Sequence, residues 1–214
     1  MRMQTDTYPV FKYDELSDSA KEKAREWYCE DLPWDPEYVI EDAATIADLF
    51  GLDIRQTRKT LMGGGHRYDP TVYWSGFWSQ GDGACYEGTY KYKVNSVKMV
   101  KACCGDKEIH RIVESLAKVQ RKFFYHLTAN CKHWGHYYHS GCMQVEVDID
   151  SDADYSDSST WRDAEDEITQ LLRDFADWVY KSLEREYEYQ TSEEAVAEAM
   201  AANEYEFYED GSIA

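Results

Sequence analysis

The densest run of chemically capable side chains is Cys131-Lys132-His133-Trp134-Gly135-His136-Tyr137-Tyr138-His139-Ser140-Gly141-Cys142, three histidines and two cysteines within 12 residues. Imidazole nitrogens and thiolates are the ligands zinc prefers, four of them in a tetrahedron. No cofactor is the expectation; if a metal is held, Cys131, His133, His136, His139 and Cys142 are the candidate set and zinc is the ion. The spacing is not that of a zinc finger. If two strands meet at this turn, alternate side chains point to opposite faces and all five cannot converge. That leaves His133 and His139 to pair across the turn, with Cys131 or Cys142 beside them. The competing reading is an exposed hairpin whose histidines and tyrosines pack crosswise or touch a partner.

A second run, Tyr73-Trp74-Ser75-Gly76-Phe77-Trp78-Ser79-Gln80-Gly81-Asp82-Gly83-Ala84-Cys85-Tyr86-Glu87-Gly88, mixes large aromatics with turn glycines. Gly81 and Gly83 allow positive φ around Asp82, where backbone amides could form an anion nest. It is neither a Walker loop nor a dinucleotide fingerprint. Cys85 is a conceivable nucleophile with His133 or Asp82 as base, but a hairpin turn with structural aromatics is the default. Asp148, Asp150, Asp152 and Asp154 have the spacing of a calcium loop. Counted from Asp148, however, the sixth place is Ala153 rather than Gly and the twelfth is Ser159 rather than Glu, so the match fails where calcium is most demanding.

These runs sit in a chain of 214 residues with a formal charge of −19. The charge is uneven. Residues 1–54 carry 14 acids and 5 bases, 55–145 carry 6 and 14, and 146–214 carry 22 and 4, giving nets of −9, +8 and −18. An ordinary nucleic-acid binder needs a Lys/Arg excess to displace counterions from phosphate, so direct nucleic-acid binding is not expected. The acidic last third, with Asp163, Glu165, Asp166, Glu167, Asp174 and Asp177, offers carboxylates where a basic partner would meet phosphates. Eighteen tyrosines add amphipathic contact area. Trp74, Trp78, Asp82, Tyr86, Tyr137 and Tyr138 join those acids as candidate partner-binding residues. The start MRMQTDTYPVFKYDELSD has no apolar signal core, and no run of 18 apolar residues occurs. A cytoplasmic location with reduced cysteines and no membrane contact is expected.

The elements that must position these residues follow from periodicity. Leu16–Cys29 reads as a first amphipathic helix after a short strand at 8–13. Asp35 as cap, Pro36 as first helical residue and Gly51 as terminator bracket a second helix with a stripe of Val39, Ile40, Ala43, Ile46, Leu49 and Phe50. Leu52–Thr60 and Thr71–Ser79 read as strands with a Gly-rich loop at 62–68 between them. Ala84–Val94 alternates, with Tyr86, Gly88, Tyr90 and Tyr92 on one face. A helix at 107–120 buries Ile109, Ile112, Val113, Leu116 and Val119. Strands at 122–132 and 143–150 follow, the latter turning Met143, Val145, Val147 and Ile149 inward. A long helix runs from Ser159 or Thr160 to about Tyr189, and a short Ala-rich helix then runs to about Asn203, with 205–208 closing as an edge strand. The expectation is one α+β domain over 1–214, an antiparallel sheet with hairpins packed against amphipathic helices and an acidic helical subregion at about 158–203.

The segments YDELSDSAKEKAREWY, WSGFWSQGDGACYEG, the His133/His136/His139 connection and YEYQTSEEAVAEAMAANEYEFYEDG together resemble a family of small proteins encoded by tailed bacteriophages and prophages of enteric bacteria, some labelled the antitoxin of a toxin–antitoxin stability system. The resemblance runs through most of the chain except the 56–70 loop. It implies a phage-derived protein with an antitoxin-like role; joined to the uneven charge, the expectation is a non-enzymatic protein that binds and neutralises a bacterial host protein, either a toxin or a nucleic-acid-directed defence effector, with an acidic DNA-mimicking surface as one way of doing so. A homodimer is compatible with it. The alternative is a metal-assisted or thiol-dependent hydrolase using the Gly-Asp-Gly/Cys85 hairpin and the histidine cluster.

Overall fold

A computed structural model describes residues 7–30, 32, 34–150 and 159–214. In chain order the elements are α1 (Asp18–Glu30), α2 (Glu37–Phe50), β1 (Leu52–Ile54), β2 (Gln56–Thr60), β3 (His66–Pro70), β4 (Val72–Trp74), β5 (Ala84–Tyr86), β6 (Gly88–Lys91), α3 (Ser96–Cys103), α4 (Lys107–Lys122), β7 (Leu127–His133), β8 (Met143–Ile149), α5 (Ser159–Gln190) and α6 (Glu193–Ala202). Every strand pairing is antiparallel, so the α+β expectation holds. Among the described residues no helix is long and apolar enough to cross a membrane.

The helix ends are chemically marked. Gly51 closes α2 in the left-handed region at φ 92°, the Asp106 side chain accepts from the Glu108 amide to start α4, and the Ser192 hydroxyl caps α6. Several elements differ from the expectation: 52–60 divides into β1 and β2 of different sheets, 84–94 divides into β5 and β6 of different sheets, the strand expected at 71–79 is only Val72–Trp74, and α3 adds a helix. Two further segments also differ. The Gly-rich 62–68 stretch is the tip of a hairpin in which β2 and β3 pair from Gln56↔Pro70 to Thr60↔His66, so the second half of that stretch is strand. The segment expected to be strand from Lys122 instead finishes α4, and β7 begins only at Leu127. The reason is local. Gln120 faces inward, donates from Nε2 to the Leu127 carbonyl at 2.7 Å and accepts the Leu127 amide at 3.2 Å, a side-chain substitute for a ladder pair that ties the helix end to the strand start.

The described residues form two compact units, one of residues 36–184 and one of residues up to 35 with 185–214. In the larger unit the sheet order is β1-β6-β7-β8, with β2-β3 and β4-β5 as separate two-stranded pairs. Residues alternate in burial along β6 and β7. The buried face of the sheet includes Tyr90, Leu127, Ala129 and Cys131. The core includes Phe50, whose ring meets that of Phe175 on α5, and Phe175 also meets Tyr86 of β5. The apolar stripe of α4 is buried with them, all five of Ile109, Ile112, Val113, Leu116 and Val119. In the smaller unit Tyr13, Leu16, Ala20, Ala24, Val196, Met200 and Phe207 form a separate core. There Phe207 bridges both Phe11 and Ile213, which is as much strand as the 8–13 and 205–208 segments make.

The charged thirds of the larger unit partly neutralise each other. Arg111 of α4, which also binds Glu108, pairs with Asp174, Lys122 approaches Glu167 at 3.8 Å, and Lys91 pairs with Asp150, three pairs that join the basic middle of the sequence to the acidic end.

Candidate functional site

Two connections, 75–83 between β4 and β5 and 134–142 between β7 and β8, interlock. The first is organised by Asp82, whose carboxylate accepts the backbone amides of Ser79 at 2.6 Å and Trp78 at 3.0 Å, while the Asp82 amide donates to the Ser79 carbonyl. The Ser79 amide first, with the Ser75 hydroxyl and the Trp78 amide, holds this carboxyl below the usual carboxylate range. The turn needs Gly81 at φ 105°, a conformation costly for any residue with a Cβ. The second connection closes with the Trp134 amide on the Cys142 carbonyl and the Cys142 amide on the His139 carbonyl. His133 Nε2 lies 3.1 Å from the Tyr137 carbonyl, to which it donates.

Glycine allows the contact between the two. A Cβ on Gly83 would lie 2.5 Å from His139 Cα, and one on Gly81 would lie 3.0 Å from the Tyr137 ring. Tyr137 thus rests on the Gly81 turn and stacks on His139, and Tyr73 contacts both His133 and Tyr138. Tyr180 of α5 supports the first loop by donating to the Gly76 carbonyl and packing on Phe77, which stacks on Trp74. On this buttress Trp78 is 79% exposed and Tyr137 62%.

The expected partner-binding residues are therefore divided. Trp78 and Tyr137 are outward, and Trp74 and Tyr138 are half-buried around them. Asp82 belongs to the same loop, but its carboxylate is engaged in shaping the turn. Tyr86 has to be withdrawn: it is 1% exposed, and its hydroxyl donates to the Leu172 carbonyl at 2.8 Å. Tyr86, Gly88 and Tyr90 are all buried, but the expected strand 84–94 is divided: β5, buried throughout, pairs with β4, while β6 ends at Lys91 in the four-stranded sheet, with Tyr92 half-buried beyond it. Among the acids, Asp163 and Asp166 are exposed and Glu165, Glu167 and Asp177 half-buried. Asp174 is neutralised by Arg111 and also accepts from Gln170, which removes it as a free contact.

The metal set does not assemble. Cys131 points into the core beside Tyr86, and burial pushes its thiol up to about 12. His133 lies opposite Met143 in the β7–β8 register rather than opposite His139. His139 instead turns toward Cys142, with Nε2 3.5 Å from the sulfur, and His136 is exposed. Among the described residues no three His, Cys, Asp or Glu side chains stand where they could share an ion. Asp152 and Asp154 of the calcium-loop reading lie outside the described residues. The Cys85 nucleophile also fails: its side chain is fully buried, and desolvation, with Cys142 and Glu87 adding, raises its thiol to about 12. A thiol so placed stays protonated and out of reach of an external substrate.

Two residues that spacing did not single out stand at the same end of the larger unit. Trp134 is 75% exposed, and Arg173 of α5 donates from Nη2 to the Met143 carbonyl at 2.9 Å. Both line a groove with Gly141, Cys142, Met143 and Gln144. Arg173 lies beside the apolar stripe of α5, next to Asp174 and one turn before Asp177, so no local pattern singles it out. No curated protein and no solved structure matches this chain. Residues 34–193 match the model of a family described as a domain of unknown function, DUF8835, a span that holds the whole larger unit and both interlocked loops, and the chain belongs to that family.

Proposed function

We propose that this chain is a non-enzymatic binding protein whose contact surface is centred on Trp78 and Tyr137. The observation that carries this reading is the exposure of those two large aromatics on loops locked together at Gly83 and His139. Aromatic anchors held in one conformation lose little entropy on binding, which is what interface hot spots require. The exposed acids Asp163 and Asp166 of α5, with the half-buried Glu165 and Asp177, supply negative surface for a basic partner. The resemblance to phage-encoded proteins names the class of partner, a host toxin or a nucleic-acid-directed defence effector that the chain would neutralise in the host cytoplasm.

Affinity capture from host lysate at low and high salt tests this, using the wild type, Trp78→Ala with Tyr137→Ala, and Asp163→Lys with Asp166→Lys as baits. A host protein retained by the wild type should be lost with the aromatic pair and weakened most at low salt by charge reversal. If all three baits retain the same proteins equally, the reading is wrong.

A further inference from the structure

Arginine is costly to bury unless its charge is matched. Three cations of the larger unit are half-buried, Arg67, Lys93 and Arg173. Arg67 pairs with Glu37 and Asp69, and Lys93 pairs with Asp48. Arg173 has no carboxylate within ion-pairing distance among the described residues; its partner is the neutral Met143 carbonyl, and its buried Nε has no hydrogen-bond partner among those residues. The chain has 42 acids against 23 bases, yet none of the described acids reaches this cation.

The same guanidinium lines a groove of about 410 Å³ whose other walls are the Trp134 indole, Gly141, Cys142, Met143 and Gln144. That volume suits a small molecule, and the lining is a flat aromatic face, an apolar floor and one fixed positive charge. We infer that this groove is a binding site for a small aromatic carboxylate, its ring against Trp134 and its carboxylate on Arg173. The carboxylate supplies a counter-charge that the described residues do not, accepting from the guanidinium where it lines the groove, and the indole accepts the ring by stacking. A neutral ligand of equal shape would leave the charge unmatched. The groove shares the 134–142 connection with Tyr137, but its ligand contacts, Trp134 and Arg173, are not those of the Trp78–Tyr137 surface, so benzoate binding and host-protein capture are read separately.

Benzoate is the probe, with benzamide as its neutral isostere, titrated into the full-length ¹⁵N-labelled protein while the Trp134 indole and Arg173 Nε resonances are followed. Saturable shifts of both signals with benzoate are expected, with benzamide weaker by about tenfold or more, since a charge-assisted bond is worth that much over a neutral one. Arg173→Met should abolish the response. Arg173→Lys, which keeps the charge but loses the fork, should weaken it, and Trp134→Ala, an exposed and structurally inert change, should weaken it by a similar factor. No saturable shift with benzoate, equal shifts with benzamide, or an unchanged benzoate affinity in Trp134→Ala would each overturn the assignment.

Discussion

Gly83→Ala adds one methyl group where the two candidate-site loops meet. Its carbon would lie 2.5 Å from His139 Cα, 2.7 Å from His139 Cβ and 3.2 Å from the His139 nitrogen. Non-bonded carbons settle at about 3.5–4.0 Å, so the loops must separate by roughly 1 Å. The atoms struck are backbone, which no rotamer change can move aside. Overpacking of this kind costs about 1–3 kcal/mol, and at about 2–4 °C per kcal/mol for a chain of this size the melting temperature should fall by roughly 2–12 °C. Gly83 is not among the residues with positive φ, so the cost is contact alone, without backbone strain. Thermal unfolding followed by circular dichroism measures it, with the double variant Gly83→Ala, His139→Gly as control. Removing the His139 side chain relieves the 2.7 Å contact but not the 2.5 Å one, so the double variant should not return to the wild-type midpoint. A wild-type melting temperature for Gly83→Ala, or full recovery in the double variant, would refute the interlocked arrangement.

Gly81→Ala should also destabilise, by about 1–2 kcal/mol, but from the left-handed φ of 105°, since the Tyr137 ring it meets can shift; the two variants are told apart because Tyr137→Ala leaves this cost in place. Iodoacetamide at about pH 8 should modify the exposed Cys103 and leave the buried Cys85 and Cys131 intact until the protein is unfolded, as read by peptide mass spectrometry. Gln120→Leu strips partners from both the amide and the carbonyl of Leu127 and should cost about 2–4 kcal/mol in chemical denaturation. Because the Asp82 carboxyl is depressed in the folded turn, the stability it lends is full above about pH 4, the unfolded value, and is lost as pH falls through the lower folded one. The backbone amide signals of Trp78 and Ser79 should move in that acid window, and Asp82→Asn should abolish the movement.

Much of the architecture was legible in the residues themselves. The stripe and terminator of α2, the buried stripe of α4, the alternation of β8 and the long period of α5 are local patterns, and local patterns report directly on which face is apolar. The antiparallel α+β class followed from them. The chemistry was harder to read because it depends on which way a face turns. Tyr86 on an alternating strand is equally a surface anchor or a core residue until the helix covering that strand is known, and α5 covers it from more than 80 positions away in sequence. The clustering of Cys131, His133, His136, His139 and Cys142 was visible, but strand geometry sends Cys131 inward and pairs His133 with Met143.

What the amino-acid order determined by itself was the set of amphipathic elements, the uneven charge and the two aromatic, glycine-rich runs. Only the tertiary structure decided that those two runs touch, because the contact depends on a missing Cβ at Gly83 meeting the backbone of His139, 56 residues further on. It also decided that Arg111 and Lys122 neutralise part of the acidic end while no described carboxylate reaches Arg173, since ion pairing is settled by distances across packed elements rather than by counts along the chain.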